Sequence, residues 1–255
     1  MNRIVSIIVP LYNYAHYLSD LVDSVVSQEH KEWEMIIVDD NSKDDPLSML
    51  KKYPEFTGGK ILYHRLHKNF GYSKAKNEGI IRSKGEYIVV IDADDMLFSP
   101  HSISLRVKCC RDSQGKWVHA KAYEFSDRKP YKIKWKRRKF IKRFEQMNKS
   151  GDFKKIYECI HSQTVMVNRS VYEKVGLYEE SMRSMSDKEM WARIYHSFGK
   201  PAYINEFVAL YRIHRNQMHK SSDKIKKLPA LKKRLETLIK KRKAGDFSGV
   251  RVLEP

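Results

Sequence analysis

Tyr87-Ile-Val-Val-Ile-Asp-Ala-Asp-Asp95 is an unbroken apolar run that ends in a cluster of carboxylates. A short continuous run rich in β-branched residues fits a strand buried on both faces, and the acids stand where such a strand leaves its sheet. The pattern has two earlier copies. Val5-Ser-Ile-Ile-Val9 is stopped by Pro10, and Glu34-Met-Ile-Ile-Val38 runs into Asp39-Asp-Asn-Ser42. Between them, Leu18, Leu21, Val22, Val25 and Val26 give residues 17–27 helical spacing. Ile61 to Leu66 reads as a weaker strand and Ser73 to Arg82 as a second helix. Buried strands alternating with helices predict βαβ units, hence an α/β fold with a mostly parallel sheet flanked by helices.

Beyond residue 117 the pattern is less regular. Val118 to Ser126 and Thr164 to Val167 read as strands, Ser186 to Phe198 as a helix and Ala202 to His214 as an extended return. Pro229 is expected to open a final amphipathic helix, with Leu231, Leu235, Leu238 and Ile239 on one face and lysines around the rest. The expected organisation is a first half over 1–117, a second half of the same domain over 118–217, and a basic helical tail over 218–255.

The chain has 255 residues, 41% of them hydrophobic, enough for a substantial core and too apolar for wholesale disorder. It lacks the roughly 20 continuous apolar residues that span a bilayer. The three cysteines, Cys109, Cys110 and Cys159, have no metal-ligand spacing, which suits a reducing compartment. A cytoplasmic protein, free or peripheral to a membrane, is therefore expected. Lys and Arg number 50 against 31 Asp and Glu, a net +19. The excess sits in two windows: residues 128–155 carry 13 basic and 2 acidic residues, and residues 219–243 carry 11 and 2. Such concentration points to a polyanionic partner.

In a parallel α/β sheet, ligands bind outside the carboxyl ends of the strands, and three strands end there in polar clusters. Carboxylates massed at one edge repel unless a cation compensates them. Asp92, Asp94 and Asp95 offer hard oxygen ligands suited to Mg²⁺ or Mn²⁺. No glycine-rich phosphate loop follows the first strand, which disfavours dinucleotide oxidoreductases and P-loop enzymes.

The sequence resembles the inverting glycosyltransferases of family 2, which have the GT-A fold. The resemblance covers Ser6 to about Gln217. It rests on Ser6-Ile-Ile-Val-Pro-Leu-Tyr-Asn13, Ile37-Val-Asp-Asp-Asn-Ser42, Asn69-Phe-Gly71 with Ala75-Lys-Asn77, Gly85-Glu-Tyr-Ile88 and Ile91-Asp-Ala-Asp-Asp95. Arg169-Ser-Val171 with Gly176, Ser186-Asp-Lys-Glu-Met-Trp191 and Tyr211-Arg-Ile-His214 continue it. It implies a nucleotide-sugar donor, a UDP-sugar being the family's commonest choice. Pro10 and Tyr12 would border the base, Asp39 would accept from its ring N–H, and Lys76 and Asn77 would lie near the nucleotide. Asp92 would face the ribose and Asp94 would hold the divalent metal, with His214 also reaching the metal or diphosphate. Asp187 stands at the catalytic-base position. The family usually has Glu where Ser186 stands and Asp where Glu189 stands.

For the acceptor, two readings compete. The family's usual acceptors are saccharides or lipid-linked envelope glycans, with the basic helix lying on an anionic membrane. The 128–155 window instead interleaves cations with Tyr131, Trp135, Phe140 and Phe144, the mix that tracks phosphates and stacks on bases. Lys136, Arg137, Arg138 and Lys139 would then engage DNA, with modified bases as acceptor, the reading narrowly favoured on charge. A non-catalytic nucleic-acid-binding module on a transferase scaffold is the third possibility.

Overall fold

The computed structural model describes residues 4–113, 115–127, 133–134, 142, 145–147, 159–182, 184–215, 217 and 222–253. The sheet begins with β1 (Val5–Leu11), β2 (Trp33–Asp39), β3 (Ile61–Arg65) and β4 (Tyr87–Val90), mutually parallel in the order β3-β2-β1-β4. Their alternation is invisible as polarity because both faces are covered. Val5, Ile7, Val9 and Leu11 point to one core, where they meet Leu18, Leu21, Val22 and Val25 of helix α1 (Ala15–Val26). Ile8, Ile36, Val38, Ile88 and Val90 point to the other, against Ala75 and Ile80 of a later helix over Tyr72–Arg82. Two short helices, α2 (Pro46–Leu50) and α3 (Pro54–Thr57), precede β3, so the Tyr72–Arg82 helix is α4.

One close approach sets the α4–sheet distance. A Cβ built on Gly79 of α4 would lie 2.3 Å from Ile8 Cγ2, and a β-branched side chain in a central strand has little room to turn away. Gly79→Ala is expected to destabilise the fold by about 1–3 kcal/mol. A thermal melt checks it, with Tm lowered by roughly 2–4 °C per kcal/mol for a chain of this size.

Past β4 the sheet turns mixed. It continues with β5 (Met96–Leu97), helix α5 (Ser102–Asp112), β6 (Trp117–Ser126), β7 (Ile133–Lys134) and β8 (Met166–Asn168), with β9 (Ala202–Ile213) last. The order runs on as β4-β8-β6-β9-β5, with β7 beside β6. β8 is antiparallel to both β4 and β6, β5 is antiparallel to β9, and among the described residues only β6–β9 is parallel in this half. The parallel character read from the first hundred residues thus stops at β4.

Helices α6 (Arg169–Val175) and α7 (Ser186–Phe198) cover the second core, through Val171 and Tyr172, and through Met190, Trp191 and Ile194. The last helix, α8 (Ser222–Lys243), starts a full turn and more before Pro229 and runs through it, so that proline does not open the helix. Nor does the segment stand off as a tail: Leu235 and Arg242 of α8 are buried and Leu253 joins the second core. All three cysteines are free. Among the described residues no helix is long and apolar enough to cross a membrane.

Candidate active site

Parallel pairing brings the carboxyl ends of β1, β2 and β4 to one edge. Leu11 is in register with Asp39, and Ile8 with Val90, which places Asp92 just beyond the sheet. The loops after β1 and β2 are stitched together there. Asn13 N–H donates to Ser42 Oγ at 2.9 Å, and Asn13 Oδ1 accepts from Lys43 N–H at 2.8 Å. Asn13 and Asn41 both have left-handed φ, 59° and 63°, a conformation asparagine tolerates better than most residues. Pro10 is buried within β1, whereas Tyr12 is 42% exposed and offers a ring at this edge.

Asp39 is completely buried, and the protein already engages both its oxygens. Oδ1 accepts from Ser42 N–H at 2.7 Å, while Oδ2 accepts from the Tyr63 hydroxyl at 2.5 Å and from Arg65 Nη1 at 3.2 Å. The Arg65 side chain is 46% exposed above it and also donates to Asn41 Oδ1 and the Ser42 carbonyl. Asp40 receives the Phe70 and Gly71 N–H groups at 2.7 and 2.8 Å, anchoring the chain that enters α4.

The acids after β4 form the densest charge in the site. Asp92, Asp94 and Asp95 each offer an oxygen within 4.8 Å of the others. Asp92 accepts from the Tyr72 hydroxyl and from Gln163 Nε2, the latter at 2.9 Å. Asp95 Oδ1 accepts from Arg212 N–H at 2.8 Å, while its Oδ2 is buried without a well-formed hydrogen bond among the described residues. Asp94 Oδ2 lies 2.9 Å from His214 Nε2, and Arg212 Nε braces the Asp94 carbonyl at 2.7 Å. His214 therefore meets the cluster through Asp94. Burial, and then the charge of Asp94, push Asp92 up to about 7 and raise Asp95 well above the carboxylate range. Three hard oxygens, one of them unsatisfied, suit a divalent cation such as Mn²⁺ or Mg²⁺.

That strain has a measurable sign. A carboxylate with a raised native pKa binds its proton more tightly when folded, so its stabilising effect is full below about pH 4. It is lost as pH rises through about 7, the value to which Asp92 is pushed. In EDTA, Tm is expected to fall over that window, and Asp92→Asn to flatten the fall. A divalent ion that bridges the carboxylates should raise Tm more at pH 8 than at pH 6; equal gains at both would contradict the assignment.

The second centre lies at the start of α7. Met185, at φ 62°, turns the chain into the helix, and Asp187 follows in its first turn with its side chain 27% exposed. Asp187 Oδ1 is ion-paired with Lys76 Nζ of α4. Lys76 is fully buried, 3.9 Å from the ring centroids of both Tyr72 and Tyr178, and 3.4 Å from Ser186 Oγ. Burial lowers its pKa, and the Asp187 charge works against that. Tyr72 thus touches Asp92 through its hydroxyl and Lys76 through its ring face, so α4 joins the acid cluster to Asp187.

Lys76, expected near the nucleotide, is ion-paired with Asp187. Asn77 is also taken up internally: its amide donates to the Tyr178 carbonyl and Glu180 and accepts from Tyr178 N–H. Glu189, the other acid in this turn, is buried and held by Arg193 and Arg242, which leaves it no access to a substrate. Lys136, Arg137, Arg138 and Lys139 lie outside the described residues. The sequence reading passed over Arg65, Tyr72 and Gln163; Tyr72 alone adjoins a quoted motif, since it follows Gly71.

Comparison with known proteins supplies the family. The sequence profile described as Glycosyl transferase family 2 matches residues 6–176. An uncharacterized glycosyltransferase of Rickettsia typhi is 31% identical over 193 residues, covering 74% of this chain and 57% of its own length. The chain thus spans little more than half of that relative. TuaG of Bacillus subtilis, named for teichuronic acid biosynthesis, is 41% identical over 92 residues, 36% of each chain. Among solved structures, S. aureus TarS 1-349 in complex with UDP-GlcNAc superposes with a TM-score of 0.70 at 17% identity. That match covers 96% of this chain and 71% of TarS 1-349. The mannosyltransferase PcManGT of Pyrobaculum calidifontis, in complex with GDP-Man and Mn²⁺, gives 0.65 at 15%, over 97% and 73% of the two chains. These likenesses identify the fold as GT-A. Its carboxylate-bearing strand ends fall inside the matched span, and the chain belongs to glycosyl transferase family 2.

Proposed function

We propose that the protein transfers a sugar from a nucleoside-diphosphate donor to an acceptor hydroxyl with inversion. The observation that carries this reading is the joining of two centres by α4, the acid cluster Asp92, Asp94 and Asp95 on one side and Asp187 on the other. Asp94, whose carboxylate meets the His214 ring through Oδ2, would hold a divalent ion, with Asp92 and Asp95 beside it. When bound, that ion supplies Lewis-acid stabilisation to the departing diphosphate.

The partly exposed carboxylate of Asp187 takes the acceptor's proton while the acceptor oxygen bonds to the anomeric carbon and the bond to the diphosphate breaks. One displacement by one base inverts the centre, and no second carboxylate nucleophile is required. Lys76 keeps Asp187 in place between two aromatic faces. At the base-binding edge, Tyr12 offers a stacking ring. Beside Asp39, whose oxygens are engaged by Ser42, Tyr63 and Arg65, the part-exposed Arg65 guanidinium offers donors to a carbonyl on the base.

For the acceptor, a saccharide or lipid-linked glycan is favoured over DNA. A relative named for teichuronic acid biosynthesis supports a polysaccharide setting. The charge on 128–155 and on α8 then serves a polyanionic glycan or an anionic membrane surface. Incubating the protein and Mn²⁺ with UDP- and GDP-sugars and saccharide, lipid-linked or DNA acceptors, with mass-spectrometric readout, tests all of this. Product is expected on the saccharide or lipid-linked acceptors; product on DNA alone would reverse the acceptor assignment.

A further inference from the structure

Lys240-Lys-Arg-Lys243 looks like one solvated cationic turn, yet its members divide. Lys240, Lys241 and Lys243 are exposed, whereas Arg242 is buried with no exposed side-chain surface. Every nitrogen of its guanidinium is used. Nε donates to Glu189 Oε1 at 2.8 Å and Nη2 to Glu179 Oε2 at 3.0 Å. Nη1 donates to the carbonyls of Asp246 and Ser248 at 2.7 and 3.1 Å. The other oxygen of Glu189 accepts from Arg193 Nη2 at 2.6 Å, and Arg193 Nη1 donates to the carbonyls of Val175 and Leu177. Two carboxylates and two guanidiniums thus make a neutral buried network that ties α8, α7 and the 175–181 chain together.

A second tie runs beside it. Leu177 N–H donates to the Arg251 carbonyl at 2.8 Å, and Gly176 lets the chain approach so closely that a Cβ there would meet Val250 Cγ1 at 2.6 Å. The segment so held contains Tyr178, one wall around Lys76, and the helix so held begins with Asp187. Its entry at Met185 is a left-handed residue that is neither glycine nor asparagine, a conformation that persists only where surrounding contacts impose it. Glu189, two residues beyond Asp187, ties that first turn to Arg193 and Arg242.

We infer that Arg242 is a positioning residue for transfer: through Glu189 and Glu179 it fixes the first turn of α7, and with it the place of Asp187 against Lys76. The C-terminal helix is on this account part of the acceptor-side machinery. The inference rests on reading Asp187 as the base. Arginine is required because lysine cannot reproduce a planar fork that serves two carboxylates and two carbonyls.

Two variants test it, Arg242→Met and the double variant Arg242→Met with Glu179→Gln, which keeps the network neutral so that folding is not lost to an unpaired buried acid. Arg242→Lys is the conservative control. In the folded variants, kcat is expected to fall about 10²-fold, as a slight misplacement of a reacting group can do, with donor KM unchanged and Arg242→Lys intermediate. Amide hydrogen exchange over residues 185–190 should rise while β1, β2 and β4 stay protected. Unchanged kcat, a donor KM that rises as much as kcat falls, or exchange raised evenly over the sheet would each overturn the inference. If the unmodified protein transfers no sugar at all, the functional reading fails on its own, and the exchange measurement still decides whether Arg242 holds the α7 entry.

Discussion

Asp94→Ala is expected to abolish transfer and to remove the divalent-ion dependence of nucleotide binding. Asp92 is engaged by Tyr72 and Gln163, and Asp95 by the backbone of Arg212. Asp94 presents a carboxylate whose Oδ2 meets the His214 ring at 2.9 Å, and its side chain is 12% exposed where Asp95 is fully buried. A Lewis acid at a departing diphosphate supplies several kcal/mol, so a loss of about 10³-fold in kcat/KM is the expected scale. EDTA should produce the same loss in the unmodified protein and add little to the variant. Calorimetric titration of UDP or GDP with and without Mn²⁺ separates this from a structural role. If Asp94 only braces the loop, the variant melts lower but its nucleotide affinity keeps its response to Mn²⁺. Full turnover of the unmodified protein in EDTA would sink the metal assignment.

What the sequence made legible follows burial. β1, β2 and β4 announce themselves because strands covered on both faces are written as unbroken apolar runs, and the acids at their ends follow directly from the chain. β8 was legible as a strand over Thr164–Val167, but three residues carry no sign of their direction, and β5, two residues long, leaves no periodicity to read, so the antiparallel half of the sheet was not foreseeable as such. Pro229 reads as a helix start because proline fits a first turn, but the residues ahead of it were helical enough to continue through.

At the site, residue type was more legible than partnership. Asp39 and Lys76 were picked out by position, yet their neighbours decide what each can do. Asp39 is engaged by Tyr63 and Arg65, 24 and 26 residues away, and Lys76 is ion-paired with an aspartate 111 residues away. Arg242 is the extreme case. Inside a lysine-rich turn it is indistinguishable from its exposed neighbours, and only the fold reveals that Glu189, 53 residues earlier, is its partner. Charge patterning along a chain reports where cations are dense; it does not report which one is buried.

Asp187→Asn should leave donor binding intact and lower turnover by about 10²–10⁴-fold, the usual range for loss of a general base. The asparagine keeps the volume and a hydrogen-bond acceptor for Lys76, so the α7 entry should hold its shape. What changes is the charge. Lys76 is buried between two rings, burial already lowers its pKa, and Asp187 is the largest influence opposing that shift. Without the carboxylate, Lys76 moves further toward the neutral amine, which removes the penalty of an unpaired buried cation and keeps the variant folded. Glu189 offers no rescue, since both its oxygens are held by Arg193 and Arg242 at 2.6 and 2.8 Å and none of it is exposed. Lys76→Met is the complementary variant: it retains the carboxylate but frees it to rotate, and its expected loss is smaller than that of Asp187→Asn. Steady-state kinetics with nucleotide titration on both proteins checks the pair. Turnover near normal in Asp187→Asn would place the proton acceptor outside this helix altogether, because the one other acid in its first turn is sealed inside the arginine network.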